Sequence, residues 1–377
     1  MEISSGRSHA TSGSEAVQEV TAGWRSDPEI VFAFCSTEQS ADEVCAALVE
    51  RFPDALISGC TTSGEFVGSE HSNGSFVASA IYDSGIRWAV EHIPNISSLD
   101  AAGADEAVAR LFEAVEVDRG RFEPDQMVCL LMVDGLSMSE ERVSAYLAEA
   151  LEGVPLAGGS AGDDLKFKST QTFTKAGASS DAAAVVLAHA ESATIKVIKH
   201  QHFLRTQKSL CITAADASTR TVIEMDGYPA AESYAAALGL KREELTDDIT
   251  FLNPLTFACN GELYVRSIQS LNEDGSLTFY CGIEEGMVLH IGDHEEMKKS
   301  LERDLDQLRG DLGEADFVIG FNCILRALEA GQREDHGALG EVLMSCTRSA
   351  IGFDTYGEQL DGLHINQTLV AVAFRAA

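Results

Sequence analysis

A polar loop bounded by glycine recurs three times in this chain, each time between two apolar, strand-like runs. The third copy, residues 352–359, reads Gly-Phe-Asp-Thr-Tyr-Gly-Glu-Gln and leads through residues 364–374 into a strand rich in β-branched residues. Earlier copies read Gly-Cys-Thr-Thr-Ser-Gly-Glu at 59–65 and Gly-Gly-Ser-Ala-Gly-Asp-Asp at 158–164. A turn alone needs fewer polar side chains than these loops carry, so the repetition predicts a pocket assembled from equivalent parts.

Each loop closes a predicted β-α-β unit. Uninterrupted apolar runs at 30–34, 127–132 and 317–321 are typical of buried strands. The helices of the first two units each begin at a Ser-x-x-Glu capping pattern, at 40–43 and 137–140. Because a crossover helix connects strands that run in the same direction, each unit predicts a parallel strand pair.

Strands that follow the loops predict hairpins at 75–90, 182–199 and 262–283, with turns rich in Asp, Ser, Asn and Gly. The expected fold class is therefore α/β, with repeated β-α-β plus hairpin units that form mixed sheets in two halves. Residues 1–27 have no apolar core and predict a disordered tail. A boundary near residue 225 then divides the rest into domains 28–225 and 226–377.

Charge excludes several classes of partner. The 377 residues include 60 acidic and 27 basic side chains, for a net charge of −33, so binding to nucleic acid or to an anionic membrane surface is not expected. The sequence has no secretory signal and no apolar stretch long enough to span a bilayer, which predicts a cytoplasmic protein. Its nine cysteines form no Cys-x-x-Cys pair, so reduced thiols are expected.

Catalytic and cofactor motifs are weak. Each glycine loop is followed by a strand and not by a helix, which disfavours nucleotide binding. Cys60 is a candidate reactive thiol, although most buried cysteines are inert. Asp163, next to Asp164, is a candidate acid or base, although adjacent side chains usually diverge and a solvated turn explains the pair better. No nucleophile-elbow pattern supports either residue, so we expect a protein that is not an enzyme.

Two arginines stand inside apolar segments, Arg266 in Leu-Tyr-Val-Arg-Ser-Ile and Arg326 in Asn-Cys-Ile-Leu-Arg. A buried guanidinium requires an anionic partner. That partner is either a protein carboxylate, for which Glu358 is a candidate, or the carboxylate of a ligand such as an amino acid or a haem.

The order of these motifs resembles that of the FIST family of bacterial sensory proteins, over almost the whole chain after the tail. One departure is Asn322, where the family pattern suggests Asp before Cys323. The resemblance rests on the following segments: 59–65, 158–164, 224–230 with Tyr234, 264–267, 322–326, 352–358 and 364–368.

This resemblance implies an N-terminal FIST domain over 28–225 and a C-terminal FIST domain over 226–377 that together sense a small ligand. Stand-alone members of the family include haem-binding nitric-oxide sensors that regulate histidine kinases or cyclic-di-GMP enzymes, and other members have been proposed to bind amino acids. The chain would then signal through such a kinase or cyclic-di-GMP enzyme as a separate partner. The ligand-binding candidates are Arg266, Arg326, Tyr356, Glu358, Asn366, Cys60 and Asp163.

Three hypotheses stay open at this point. For a haem sensor, His364 is the first choice of axial ligand, because it directly precedes an apolar strand, and His202 is the second. For an amino-acid sensor without haem, Arg266, Tyr356, Glu358 and Asn366 would read the carboxylate and the amine. The third hypothesis is a hydrolase or transferase that uses Cys60 or Asp163.

Overall fold

The computed structural model describes residues 1–123, 125–259 and 261–376. These residues divide into two compact units, and the chain enters each of them more than once. The first unit holds Met1–His200, Glu302–Leu363 and the chain from Leu369 onward, and the second holds Gln201–Leu301 and His364–Thr368. Residue 225, the boundary predicted from the sequence, therefore lies inside the second unit.

The first unit is built from three repeats of one element order: an edge strand, a helix, a β-α-β unit, a glycine loop, short strands and a long return strand. Repeat one contains β1 (Glu2–Ser8), α1 (Gly13–Thr21), β2 (Ile30–Ser36), α2 (Ala41–Arg51), β3 (Leu56–Thr62), β4 (Glu65–Val67), β5 (Glu70–Ser72) and β6 (Phe76–Tyr82). Repeat two contains β7 (Ile86–Pro94), α3 (Ala101–Ala114), β8 (Met127–Val133), α4 (Glu140–Ala150), β9 (Leu156–Ser160), β10 (Thr172–Thr174), β11 (Gly177–Ser179) and β12 (Ala182–Ala190).

Repeat three begins with β13 (Thr194–His200) and is then interrupted by the second unit. That insertion contains β14 (Phe203–Asp216), β15 (Thr221–Met225), β16 (Tyr228–Pro229), α5 (Ala230–Leu238), α6 (Asp247–Leu252), β17 (Leu255–Cys259), β18 (Glu262–Arg266), β19 (Ile268–Leu271), β20 (Leu277–Phe279) and β21 (Val288–His294). Repeat three resumes with α7 (Met297–Leu312), β22 (Phe317–Cys323), α8 (Ile324–Gln332), α9 (His336–Met344), β23 (Ala350–Thr355), β24 (Glu358–Leu360), β25 (Leu363–Ile365) and β26 (Leu369–Arg375).

Strands are exchanged between the repeats in a cyclic order. Each repeat contributes one parallel pair, β2 with β3, β8 with β9 and β22 with β23, as the crossover helices predict. The return strand of each repeat runs antiparallel to its first core strand. The short strand after each glycine loop joins a different repeat: β4 pairs with β23, β10 with β3 and β24 with β9. The α/β class with mixed sheets is thus confirmed, and the three loops belong to interlocked sheets.

Two of the predicted hairpins are wrong in their pairing, although their strands are present. β6 and β7 are separated by a short turn, yet β6 pairs with β1 and β2 while β7 pairs with β12. β13 likewise leaves β12 and pairs with β26. Strands that are covered on both faces are apolar throughout, whichever sheet they belong to. The hydrophobic pattern of two consecutive strands therefore could not show that the second one joins a different sheet. The hairpin of β19 and β20 is confirmed.

The N-terminal segment is ordered, which corrects the predicted tail over residues 1–27. β1 pairs along its length with β6, and α1 buries Ala16, Val17 and Val20. Ser12 caps this helix by accepting a hydrogen bond from the Glu15 backbone amide. A polar edge strand is held by its backbone hydrogen bonds, and its composition therefore gives little sign of it.

The second unit has its own core around one sheet, in the order β18-β17-β21-β14-β15-β20-β19. Leu210, Leu255, Leu289 and Ile291 contribute to this core together with Tyr234 of α5. The Tyr234 hydroxyl donates to the Asn253 carbonyl at 2.7 Å, which satisfies its polar end within an apolar environment.

Candidate functional site

The three glycine loops meet one another in the first unit. Their backbones are joined directly, so that each loop is hydrogen-bonded to both of the others. The joining bonds run from the Ser63 amide to the Asp354 carbonyl (3.2 Å), from the Tyr356 amide to the Ser160 carbonyl (3.1 Å) and from the Gly162 amide to the Thr61 carbonyl (3.0 Å). The repeats therefore place equivalent loops around one point of the fold.

A common four-residue pattern underlies this junction: a hydroxyl residue, any residue, glycine and an acid. It reads Thr-Ser-Gly-Glu at 62–65, Ser-Ala-Gly-Asp at 160–163 and Thr-Tyr-Gly-Glu at 355–358. In the first and third copies the threonine hydroxyl donates to the carboxylate three residues later. Gly64 and Gly357 have φ angles of 147° and 143°, a conformation that a residue with a β-carbon rarely adopts, so the pattern requires glycine.

The acids of the pattern are buried, and their surroundings give them different proton affinities. Burial raises the pKa of Glu65 to about 8, although Ser75 and Thr62 donate hydrogen bonds to its carboxyl group. Burial also acts on Asp163, but there the Tyr356 hydroxyl and three backbone amides of residues 167–169 outweigh it and lower the pKa. Glu65 is thus suited to carry a proton near neutral pH, whereas Asp163 is an ionised anchor.

A cavity of about 580 Å³ opens at the junction, and each loop segment supplies one polar residue to it: Ser63, Asp164 and Asp354. α8 forms the apolar wall with Ile324, Ala327 and Leu328. The cavity is also lined by Leu165, Gly331 and Gln332 and, from the neighbouring elements, by His71, Asn73 and His336. Its size falls within the usual range of small-molecule sites, and it combines an apolar wall with a few convergent polar groups.

An ion pair forms the floor of this cavity. His71 Nε2 lies 2.6 Å from Asp354 Oδ2, and the Asp354 side chain is fully buried. Burial opposes protonation of His71, but the charge and the hydrogen bond of Asp354 together raise its pKa above the usual value. The His336 ring stacks on that of His71 with their centroids 3.9 Å apart. Burial lowers the pKa of His336, and the charge of His71 lowers it further.

Asp354 is held by the side-chain amide of Asn322, which is itself held by the guanidinium of Arg326. Asn322 Nδ2 donates to Asp354 Oδ1 at 2.7 Å, and Asn322 Oδ1 accepts from Arg326 Nε at 3.0 Å. A carboxylate at 322, which the family pattern suggested, could accept from Arg326 but could not donate to Asp354. Asn322 therefore links Arg326 to Asp354 at the cavity floor without adding another negative charge beside the Asp354 carboxylate.

Arg326 lies at the centre of a cluster of carboxylates. Burial lowers its pKa to about 10, while the negative charges of Glu329, Glu358 and Asp354 act in the opposite direction. Arg326 is 2% exposed and Glu358 is fully buried. Of the two partners considered for this arginine, the structure supplies the protein carboxylates.

Several predicted site residues belong to the support of the cavity and do not line it. Tyr356 is nearly buried, donates to Asp163 and stacks on Phe167 with their centroids 4.9 Å apart. Cys60 lies within β3, and burial raises the pKa of its thiol well above the usual value. A thiol in this state is a poor nucleophile.

The remaining predicted residues lie in the second unit. Arg266 ends β18, and Asn366 forms an isolated antiparallel bridge with Val265. His364 and His202 are 2% and 1% exposed, and the His202 ring contacts that of Phe203. None of these four predicted residues lines the cavity at the loop junction.

His71, Asp354 and His336 are the site residues that the sequence did not reveal. Asp354 belongs to the third loop, but nothing in the sequence distinguishes it from the other polar residues there. His71 lies in β5, a short polar strand whose sequence predicts only a surface turn. The exchange of β4 and β5 into the sheet of repeat three is what brings this histidine to Asp354.

Haem does not fit the donors of this cavity. A haem pocket offers an imidazole to the iron, apolar walls and cations near the propionates. Here Asp164 and Asp354 face the space, and His71 is engaged with a carboxylate through Nε2. Over residues 1–123, 125–259 and 261–376, no group of three His, Cys, Asp or Glu side chains is arranged to hold a metal ion.

Comparison with known proteins gives two matches that together cover nearly the whole chain. The FIST N domain matches residues 29–228, and the FIST C domain matches residues 230–361. A comparison of the sequence with curated proteins found no match. None of the described helices combines the length and the hydrophobicity that a bilayer crossing requires. FIST domains are sensory domains associated with signal transduction and small-ligand sensing. The chain belongs to the FIST family of sensory proteins.

Proposed function

We propose that this protein senses a small zwitterionic metabolite, best matched by a free amino acid, in the cavity where the three loops meet. The observation that carries the proposal is the buried His71–Asp354 pair at the floor of a space of about 580 Å³. A site that offers both signs of charge over a short distance suits a ligand that itself carries both.

The polar groups of the cavity match the two ends of an amino acid. With Nε2 engaged by Asp354, Nδ1 is the nitrogen of His71 that can donate to a ligand carboxylate. The raised pKa of His71 favours the protonated imidazole, which strengthens that hydrogen bond. Asp164, whose Oδ2 lies 3.2 Å from Lys166 Nζ, is the carboxylate of the cavity that can accept from a ligand ammonium group. Ile324, Ala327 and Leu328 offer apolar contacts to an aliphatic side chain.

Preorganisation supports the same proposal. Asn322 and Arg326 fix the Asp354 carboxylate before any ligand arrives, and the loop backbones are tied to one another. A rigid floor lowers the entropy that binding costs. We propose further that occupancy is read by a separate signalling protein, a histidine kinase or a cyclic-di-GMP enzyme, as the family resemblance implies.

A thermal-shift screen of the full chain with the standard amino acids, one at a time, tests this function. At least one amino acid should raise the Tm of the wild type in a saturable way, and the shift should be lost in His71→Gln. His9→Gln is the matched control, since His9 is exposed, and it should keep the shift. If no amino acid changes the Tm, or if His71→Gln responds as the wild type does, the proposal fails.

Haem titration distinguishes an amino-acid sensor from a haem sensor, the other kind of sensor that the family includes. The proposed function predicts a protein that stays colourless after haem is added and excess haem is removed. A Soret band that moves on addition of nitric oxide would contradict it. Loss of that band in His364→Ala or His202→Ala, but not in His71→Gln, would assign the haem to the second unit.

A further inference from the structure

Arg266 of the second unit is a nearly buried arginine with an unusual set of neighbours. It lies at the end of β18 opposite Leu255 of β17, and only 8% of its surface is exposed. Because side chains opposite one another in a sheet share a face, Arg266 leaves the sheet on the same side as Leu255, which belongs to the core of this unit.

The described residues satisfy one edge of the Arg266 guanidinium. Nη1 donates to the Val265 carbonyl at 3.2 Å. Nε is buried, and among the described residues it has no acceptor and this side chain has no ion pair with a carboxylate. A guanidinium withdrawn from water without an anion is costly, and proteins rarely retain one without a reason.

Ser267 and Gln367, two neighbouring polar residues, are already engaged elsewhere. The Ser267 hydroxyl donates to Gln367 Oε1 at 2.9 Å, and Gln367 Nε2 donates to the Phe251 carbonyl at 3.0 Å. Asn366 has a buried Oδ1 without a donor, but it lies opposite Val265. Since successive residues of a strand face opposite sides, the Asn366 side chain is directed away from the face that Arg266 uses.

We propose that the Nε–Nη2 edge of Arg266 is a binding site for the carboxylate of a small organic acid. Nε and Nη2 carry parallel N–H bonds, and this edge accepts the two oxygens of a planar carboxylate as a bidentate pair. Phe257 lies beside the guanidinium, with its ring centroid 5.8 Å from Cζ, and offers an aromatic surface to the apolar part of the acid. The site lies in the second unit, and it is independent of the cavity in the first unit.

The arginine Nε–H resonances of the full-length, ¹⁵N-labelled protein test this proposal directly. Sodium acetate should move the Arg266 Nε–H signal in a saturable way, while sodium chloride at equal ionic strength should leave it in place. Arg326 provides an internal control, because its Nε already donates to Asn322. The Arg266 signal is identified by its absence from Arg266→Lys, or by its displacement in Phe257→Leu if that variant does not fold.

Three outcomes would overturn the proposal. One is an Arg266 signal that acetate does not move, and another is a signal that chloride moves equally. The third is a saturable response to inorganic phosphate without a response to acetate, which would assign the edge to a tetrahedral oxyanion. The expected result has a consequence for stability as well: acetate should raise the Tm of the wild type but not that of Arg266→Lys.

Discussion

Arg326 in the first unit and Arg266 in the second unit have similar sequence contexts, since each interrupts an apolar segment, and both are nearly buried. Their surroundings differ. Arg326 donates through Nε to Asn322 and lies in the field of Glu358 and other carboxylates. Within the part of the chain that the structure describes, Arg266 donates to the carbonyl of Val265 alone, and its Nε has no acceptor.

This difference shows that burial alone does not give a charged residue its role. Arg326 is a structural cation whose charge is balanced within the protein, and it fixes the carboxylate on the cavity floor. Arg266 has an Nε–Nη2 edge that no described residue engages, and we propose that the carboxylate of a ligand balances its charge. Three variants test this contrast between the two arginines, and the loss of stability should decrease from the first to the last.

Removal of Arg326 should cause the largest loss of stability. Arg326→Met keeps the length of the side chain but leaves Glu358 buried without its cation, whereas Glu329 keeps its ion pair with Arg333. The loss should lower the free energy of unfolding by about 3–5 kcal/mol. Urea unfolding of the variant and the wild type measures this loss. A loss below about 1 kcal/mol would show that Arg326 is not the charge partner of these carboxylates.

A variant of Glu65 tests whether this buried acid of the first unit stays protonated in the folded state. Its folded pKa of about 8 lies above its usual value of 4.5, so between these two pH values the folded state binds more protons than the unfolded state. Stability should therefore fall as the pH rises through this window, by up to about 1.4 kcal/mol per pH unit. Glu65→Gln should remove this part of the slope in urea unfolding series from pH 5 to pH 8. An unchanged slope would show that Glu65 is ionised throughout.

Replacement of Arg266 should have the smallest effect. In Arg266→Met an apolar side chain replaces a buried cation without a protein counter-ion, so the free energy of unfolding should stay within about 1 kcal/mol of the wild-type value or rise. The measurement is the same urea titration, in buffer free of carboxylates. A loss of about 3 kcal/mol, comparable to that of Arg326→Met, would reveal a protein partner and end the contrast.

Much of the first unit could be predicted from its sequence, because the signals are local. Buried strands such as Met127–Val133 are continuous apolar runs, and helices such as Ala41–Arg51 begin at a capping serine. In the second unit, the helix Ala230–Leu238 begins after Pro229 and ends before Gly239, and these two residue types favour a helix start and a helix end. The fourth helix differs slightly: it is preceded by Ser139, and the Ser137 hydroxyl accepts from the Ser139 amide.

Contacts between repeats could not be predicted in the same way. Nothing in the sequence around Glu70–Ser72 indicates that this short strand joins β4 at the edge of the sheet of repeat three, yet this position alone gives His71 its partner Asp354. The carboxylates of Asp354 and Glu358 are likewise brought near Arg326 by the fold, whereas the described partner of Arg266 is the carbonyl of Val265, its neighbour in sequence. Sequence patterns report which residues are buried, and only the fold decides what they face.

Calorimetric titration of Asp354→Asn with the amino acid that stabilises the wild type most strongly shows whether that ligand binds at the His71–Asp354 pair. Asp354 provides the charge that pairs with His71, so its loss should weaken binding at least about 30-fold, which corresponds to about 2 kcal/mol for a charged hydrogen bond. Glu70→Gln, an exposed carboxylate beside His71 that pairs with Arg7, is the matched control and should bind as the wild type does. Equal affinity in Asp354→Asn and the wild type would contradict the account, because the ligand would then bind elsewhere.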